Sequence, residues 1–189
     1  MYQNNISQLW IALGNFSQQY IYTRHNIGSD FLWYLYSKEL WTENKLFFFI
    51  HKEINNSNSM FIIPKLYMNV SGEIFQDYYL KKIILTDVPE IIIIHDDLEI
   101  PFGQFKFRNN KERGERGHNG NRSINKALKE LQGKQYVIPY YLSIGIGRPA
   151  DGLVDQWVLK KFSLSEVNNL ESVIYPNLTQ QLSIILNKK

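Results

Sequence analysis

The chain has 189 residues, 44% hydrophobic, 14% aromatic and 21% charged, which is enough apolar material for one core and unlike a disordered composition. The absence of cysteine excludes a disulfide framework, a thiolate nucleophile and a cysteine-ligated zinc site. Net charge is a modest +3, no run approaches the ~18 apolar residues of a membrane span, and no basic-then-apolar leader opens the chain, so a single cytoplasmic domain over 1–189 is expected.

Residues 8–13 read as a short buried strand ended by Gly14-Asn15, a pair suited to a turn. A loop follows to about Gly28. Apolar residues at Phe31, Leu32, Tyr34, Leu35 and Leu40 then recur at helical spacing, predicting a helix over 29–40 capped by Ser29 or Asp30. The apolar runs 46–50 and 60–63, separated by Asn55-Asn56-Ser57-Asn58 and closed by Pro64, predict a hairpin. A second helix is expected over 70–84, with Ile74, Tyr78 and Leu85 near one face.

The unbroken run Glu90 to Ile94 suits a central strand covered on both faces, stopping at His95-Asp96-Asp97. Phe105 and Phe107 alternate with Lys106 and Arg108, predicting a half-exposed strand that leads into a basic loop. A helix over 119–131, a strand over 136–146 and a last helix over 165–186, despite Pro176, complete the pass. The alternation of strands and helices argues for an α/β fold: one mixed, mostly parallel twisted sheet flanked by helices, with its site beyond the carboxyl ends of the strands.

Gly14-Asn15, His95-Asp96 and Gly145-Ile146-Gly147-Arg148 follow apolar strands there, and Thr23-Arg24-His25-Asn26, Tyr67-Met68-Asn69 and Gly117-His118-Asn119-Gly120 each stand just before a predicted helix, whose N-terminus presents free amide donors. His25 is either an ordinary loop histidine or a general base on water, for which Asp96 is the best-placed carboxylate to hold the tautomer. His95, Asp96, Asp97 and Glu99 are either a divalent-metal site or an acidic turn; without a paired-histidine helix signature, no metal is expected. Asn15, Asn69 and Asn119 suit turns and caps as well as substrate. Phe16, Tyr20 and Tyr67 can stack on bases or fill the core. Gly145-Ile146-Gly147 lacks the third glycine, helix and Lys-Ser/Thr pair of a nucleotide loop, and no Gly-x-Ser-x-Gly esterase turn occurs. Lys106, Arg108, Lys111, Arg113 and Arg116, less Glu112 and Glu115, carry a surplus equal to the whole chain's +3. That stretch is either a solvated loop or an anion-binding one.

Taken in order, Leu13-Gly14-Asn15, residues 23–28 from Thr23 to Gly28, residues 67–72 from Tyr67 to Gly72, His95-Asp96-Asp97-Leu98, Gly117-His118-Asn119-Gly120 and residues 144–149 from Ile144 to Pro149 resemble the bacterial peptidyl-tRNA hydrolase family, along residues 9 to about 166. The resemblance implies a monomeric α/β enzyme that needs no cofactor and releases tRNA and peptide after stalled translation. It makes His25 the base, Asp96 its orienter and Asn15 a discriminator of blocked peptidyl from free aminoacyl groups, with Tyr20, Tyr67, Asn69 and Asn119 contacting the peptide and the tRNA 3′ end. It also gives the basic residues Arg108, Lys111, Arg113 and Arg116 a partner in tRNA phosphates, whose binding depends on salt. Three departures stand out: Phe16-Ser17 where the family has Pro-Gly, a longer charged stretch at 109–116 in place of a glycine-rich one, and Ser143 where many members carry a phosphate-contacting Arg, a loss the basic stretch would compensate. A noncatalytic RNA-binding relative of the same fold is the alternative.

Overall fold

A computed structural model describes residues 5–54, 56–109, 117–133, 137–150 and 152–187. Seven strands form one sheet: β1 (Gln8–Ala12), β2 (Thr42–Glu43), β3 (Phe47–Ile54), β4 (Ser57–Pro64), β5 (Glu90–Asp97), β6 (Phe105–Asn109) and β7 (Tyr140–Gly145). Their order is β2-β3-β4-β1-β5-β7-β6. The inner four, β4, β1, β5 and β7, run parallel, and the outer strands pair antiparallel. The expected mixed sheet is therefore present, parallel at its centre and antiparallel at its edges, with three of its six pairings parallel.

Alternation across the central strands explains their apolar runs. Trp10, Ala12, Ile92 and Ile94 face a cluster with Phe31 of α1 (Ile27–Leu35) and Tyr175 and Leu178 of α6 (Tyr175–Asn187). Leu9, Ile11, Ile91 and Ile93 face the opposite cluster, with Leu80 and Ile83 of α2 (Tyr78–Thr86) and Ile124 and Leu128 of α3 (Asn119–Gln132). Each such fully buried side chain contributes about 1.5–3 kcal/mol relative to exposure, so both faces must stay covered. The connection after β1 crosses one face and that after β4 the other, which opens a crevice at the carboxyl ends of β1 and β5. A close approach carries the first loop there: a Cβ on Gly28 would lie 2.6 Å from the Ile94 carbonyl oxygen, so only glycine lets α1 sit this near β5.

Several boundaries differ from the sequence expectations. The first helix ends at Leu35, and Leu40 is 96% exposed, so it belongs to no apolar face. Neither Ser29 nor Asp30 caps it; the Ser29 hydroxyl donates instead to the Asn26 carbonyl. The single helix expected over 70–84 is a 3-10 segment, Met68–Gln76, followed by α2, with extended Asp77 between them accepting a cap bond from Leu80 N–H. Ile74 is buried, whereas Tyr78 is 81% exposed and Leu85 is exposed, because the break turns them off the face a continuous helix would share. His95, Asp96 and Asp97 are the last residues of β5 rather than a turn.

The short strand β2 and helix α4 (Val154–Leu159) have no counterpart in the sequence reading. The last helix runs from α5 (Leu164–Asn169) through a π turn, Leu170–Ile174, into α6. Pro176 explains the widened turn, since in α geometry its ring would strike the Ser172 carbonyl.

Asp30 is an ionisable group that the core holds awkwardly. Its Oδ2 is buried with no partner among the described residues. Burial, reinforced by nearby Glu171 and opposed by a backbone hydrogen bond from Tyr22, pushes its carboxyl up to about 8. The folded state thus keeps a proton that the unfolded chain releases near pH 4, so this contribution to stability is full below about pH 4 and is lost as pH rises towards 8. Asp30→Asn is expected to stabilise the fold at pH 8 by on the order of 2 kcal/mol, raising Tm by roughly 4–8 °C, with little gain at pH 5. Thermal unfolding at the two pH values checks this, and equal gains at both would remove the carboxyl from the explanation.

Candidate active site

The crevice gathers residues from four parts of the chain. His25 lies in a 3-10 turn, Arg24–Asn26, that feeds directly into α1, and Asp96 is at the end of β5. His25 Nδ1 lies 2.7 Å from Asp96 Oδ1, although the two are 71 residues apart in sequence. His118, at the N-cap of α3, places Nε2 2.9 Å from the same oxygen. Asp96 is only 3% exposed, so water does not compete for these bonds.

The hydrogen bonds fix the protons. His118 Nδ1 accepts from the Asn121 backbone N–H at 3.2 Å, so its proton sits on Nε2 and is donated to Asp96. Burial alone would raise the Asp96 carboxyl, but the charges and hydrogen bonds of His25 and His118 overcome it and hold the group far below the usual range. An ionised Asp96 in turn requires a proton on His25 Nδ1, which leaves Nε2 with its lone pair. Burial works to lower the His25 value, yet the Asp96 charge and hydrogen bond together outweigh it and raise the imidazole above its ordinary value.

Donor atoms of His25, Asp96 and His118 all lie within 4.8 Å of one another, a spacing close enough for a shared ion. The proton on His118 Nε2 argues against it, because that nitrogen has no lone pair left for a metal while Nδ1 accepts a backbone amide. The acidic set singled out from sequence does not converge either. His95 is buried, donates Nδ1–H to the Asp96 carbonyl at 2.7 Å and accepts from Ser143 Oγ at 2.9 Å. Burial and the neighbouring His118 lower it to about 3, so it stays neutral. Glu99 pairs with Arg148 at the surface.

Ser143 has a structural task of its own in this chain. It is 5% exposed and stands directly opposite His95 in the β5–β7 register, so its hydroxyl serves that histidine. An Arg at this position would remove the His95 partner besides adding a charge.

Asn15 follows β1, and its Oδ1 accepts from Met68 N–H at 2.8 Å, which commits the oxygen and leaves Nδ2 to donate. Its backbone is clasped by Asn26, which accepts from Asn15 N–H at 2.8 Å and donates to the Asn15 carbonyl at 3.1 Å. Asn69 and Asn119 are exposed and line a groove of about 710 Å³ between the 3-10 segment and α3, together with Lys81, Arg122 and Lys126. Tyr20 and Tyr67 meet edge to face, centroids 6.3 Å apart, with Tyr67 exposed. Phe16 packs on Phe48, ring centroids 5.9 Å apart. Arg108 lies on β6, while Lys111, Arg113 and Arg116 fall outside the described residues.

Two contributors were not assigned roles from sequence: His118, which supplies the second bond to Asp96, and Asn26, which fastens Asn15. Both sit inside quoted motifs. Their signal was position next to His25 and Asn119, but a cap or clasp is recognisable only once its partner is known.

A buried carboxylate orienting a neutral imidazole, at the carboxyl ends of the parallel central strands of a mixed sheet, defines an α/β protein built for general-base chemistry. Comparison with known proteins narrows the class. A family model described as peptidyl-tRNA hydrolase matches residues 9–189, and the chain belongs to that family. It is 36% identical over 168 residues to the peptidyl-tRNA hydrolase of Aliarcobacter butzleri, covering 88% of this chain and 85% of that one. Identity to the Staphylococcus haemolyticus peptidyl-tRNA hydrolase is 34% over 171 residues, 87% of this chain and 83% of that one. The crystal structure of peptidyl-tRNA hydrolase from Acinetobacter baumannii superposes with a TM-score of 0.65 at 26% identity, covering 96% of this chain and 94% of that one.

Proposed function

We propose that the chain hydrolyses the ester joining a peptide to the 3′ end of tRNA, with His25 as general base and Asp96 as its orienter. The observation that carries this reading is the 2.7 Å bond from His25 Nδ1 to a buried, ionised Asp96, which leaves Nε2 to accept a proton. Water attacks the ester carbonyl carbon as Nε2 takes its proton. The carbon–oxygen bond to the ribose then breaks, and the proton passes to the departing ribose oxygen, giving free tRNA and a free peptide carboxyl group.

The negative charge that builds on the carbonyl oxygen calls for neutral amide donors, and Asn69 and Asn119 stand exposed at the groove for that role. With its oxygen committed, Asn15 offers Nδ2–H to an acceptor such as the amide carbonyl of a blocked peptidyl group, which a free aminoacyl group lacks. Tyr20 and Tyr67 supply aromatic surface for the substrate's 3′ end. Lys81, Arg122 and Lys126, which line the groove, suit the RNA backbone, together with Arg108 and the Lys111, Arg113 and Arg116 stretch. An ester of this kind is labile enough for a positioned water and a base, so no cofactor is invoked.

The protein acts in this reading as a cytoplasmic monomer that recycles tRNA after stalled translation. Among the described residues no helix is long and apolar enough to cross a membrane. A noncatalytic RNA-binding role would have no use for the retained His25–Asp96 pair and its second donor, His118, which favours the enzyme.

The test compares an N-acetyl-aminoacyl-tRNA with its unblocked counterpart under single-turnover conditions. Hydrolysis of the blocked ester at least about tenfold faster is expected from one added hydrogen bond in a buried site. Equal rates would reject the specificity, and no hydrolysis of either would reject the activity.

A further inference from the structure

We propose that Arg24 is a positioning residue for the reaction, bolting the segment from Trp157 to Glu166 against the loop that carries His25 and so fixing the imidazole on Asp96. The inference rests on His25 being the general base.

Arg24 immediately precedes His25 and is only 4% exposed, an unusual place for a guanidinium unless its charge is paired; both terminal nitrogens are engaged, while the buried Nε has no hydrogen-bond partner among the described residues. Its Nη2 donates to Glu166 Oε1 at 2.6 Å and its Nη1 to the Lys161 carbonyl at 3.0 Å. The planar head lies over two rings, 3.9 Å from the Trp157 centroid and 4.7 Å from that of Phe162. The backbone adds to the joint, with Arg24 N–H donating to the Lys160 carbonyl at 3.1 Å and Phe162 N–H to the Tyr22 carbonyl at 2.8 Å.

Each partner is itself anchored. Glu166 accepts from Ser163 N–H at 2.7 Å in a capping box that starts α5. Trp157 Nε1–H donates to the Gly147 carbonyl at 2.8 Å, which ties α4 to the loop after β7. Through one side chain, the loop after β7 and the start of α5 are joined to the residue next to the base.

The 3-10 turn holding His25 spans three residues and has no side-chain cap of its own. Its orientation must therefore come from tertiary contacts, and those of Arg24 dominate on this side. A tilt of the turn lengthens the Nδ1 to Asp96 bond, and misplacement by about 1 Å can cost about a hundredfold in rate. Lys cannot replace Arg24, because an ammonium lacks the flat fork that both stacks and donates in two directions.

Arg24→Lys and Trp157→Leu are the tests, each read by kcat, KM, the pH profile of kcat/KM and NMR titration of the His25 ring in folded protein. For Arg24→Lys we expect kcat to fall about 10–100-fold with KM within about twofold. The acid limb and the His25 titration should both move to lower pH, since the Asp96 contact raises the wild-type value. Trp157→Leu, which leaves every charge in place, should shift all three in the same direction by less. A lower Tm with kcat, acid limb and ring titration unchanged in both variants would make Arg24 a structural cross-link only and overturn the proposal. Full activity in His25→Ala would instead remove the base itself, so the two failures are distinguishable.

Discussion

His25→Ala is expected to lower kcat for peptidyl-tRNA hydrolysis by about 10²–10⁴-fold while leaving tRNA affinity within about twofold. The physical reason is narrow. The alanine removes the acceptor for the water proton but touches none of the amide donors at Asn15, Asn69 and Asn119, nor the cations at Lys81, Arg122 and Lys126. Residual turnover would come from binding and from the amides. Initial rates on N-acetyl-aminoacyl-tRNA, with tRNA binding measured separately, give the answer. A rate within about threefold of wild type would end the general-base reading, and a parallel loss of binding would point to a role in holding the RNA.

The second large effect concerns the carboxylate and has a sign that follows from its charge. In wild type the Asp96 contact outweighs burial and raises His25 above its ordinary value of about 6.5, so kcat/KM should be lost as pH falls through a point above neutral histidine's usual one. Asp96→Asn keeps an oxygen able to accept from His25 and His118 but removes the negative charge that stabilises the imidazolium. Rates should fall about 10²–10⁴-fold. Burial of His25 is then unopposed, so its proton is lost more easily and the acid limb of the remaining activity moves to lower pH. A pH profile of kcat/KM from about 5 to 9 reads both changes. An acid limb that stays in place would show that some group other than His25 controls it.

The alternating faces of β1 and β5 were legible because a strand buried on both sides leaves an unbroken apolar run, and Ile91 to Ile94 form one. The boundaries that failed did so for identifiable reasons. A 3.6-residue period could be drawn through Tyr78 and Leu85, but Asp77 offers its side chain to the Leu80 amide and stops the preceding turn, which rotates both residues outward. Leu40 matched a helical phase by coincidence, beyond a helix that ends five residues earlier. Pro176 looked like a helix breaker and is accommodated by one widened turn.

Residue order alone sets the succession of apolar runs, the polar clusters near them, the absence of any thiol and the identity of His25 and Asp96 as groups worth pairing. Folding adds that these two meet, that His118 makes a second bond to the same oxygen, that Ser143 serves His95, and that Arg24 stacks over rings from a segment more than 130 residues away. The division is physical: periodicity and turn chemistry act between neighbours along the chain, whereas a proton's position is set by whichever donor or acceptor the packed sheet brings within 3 Å.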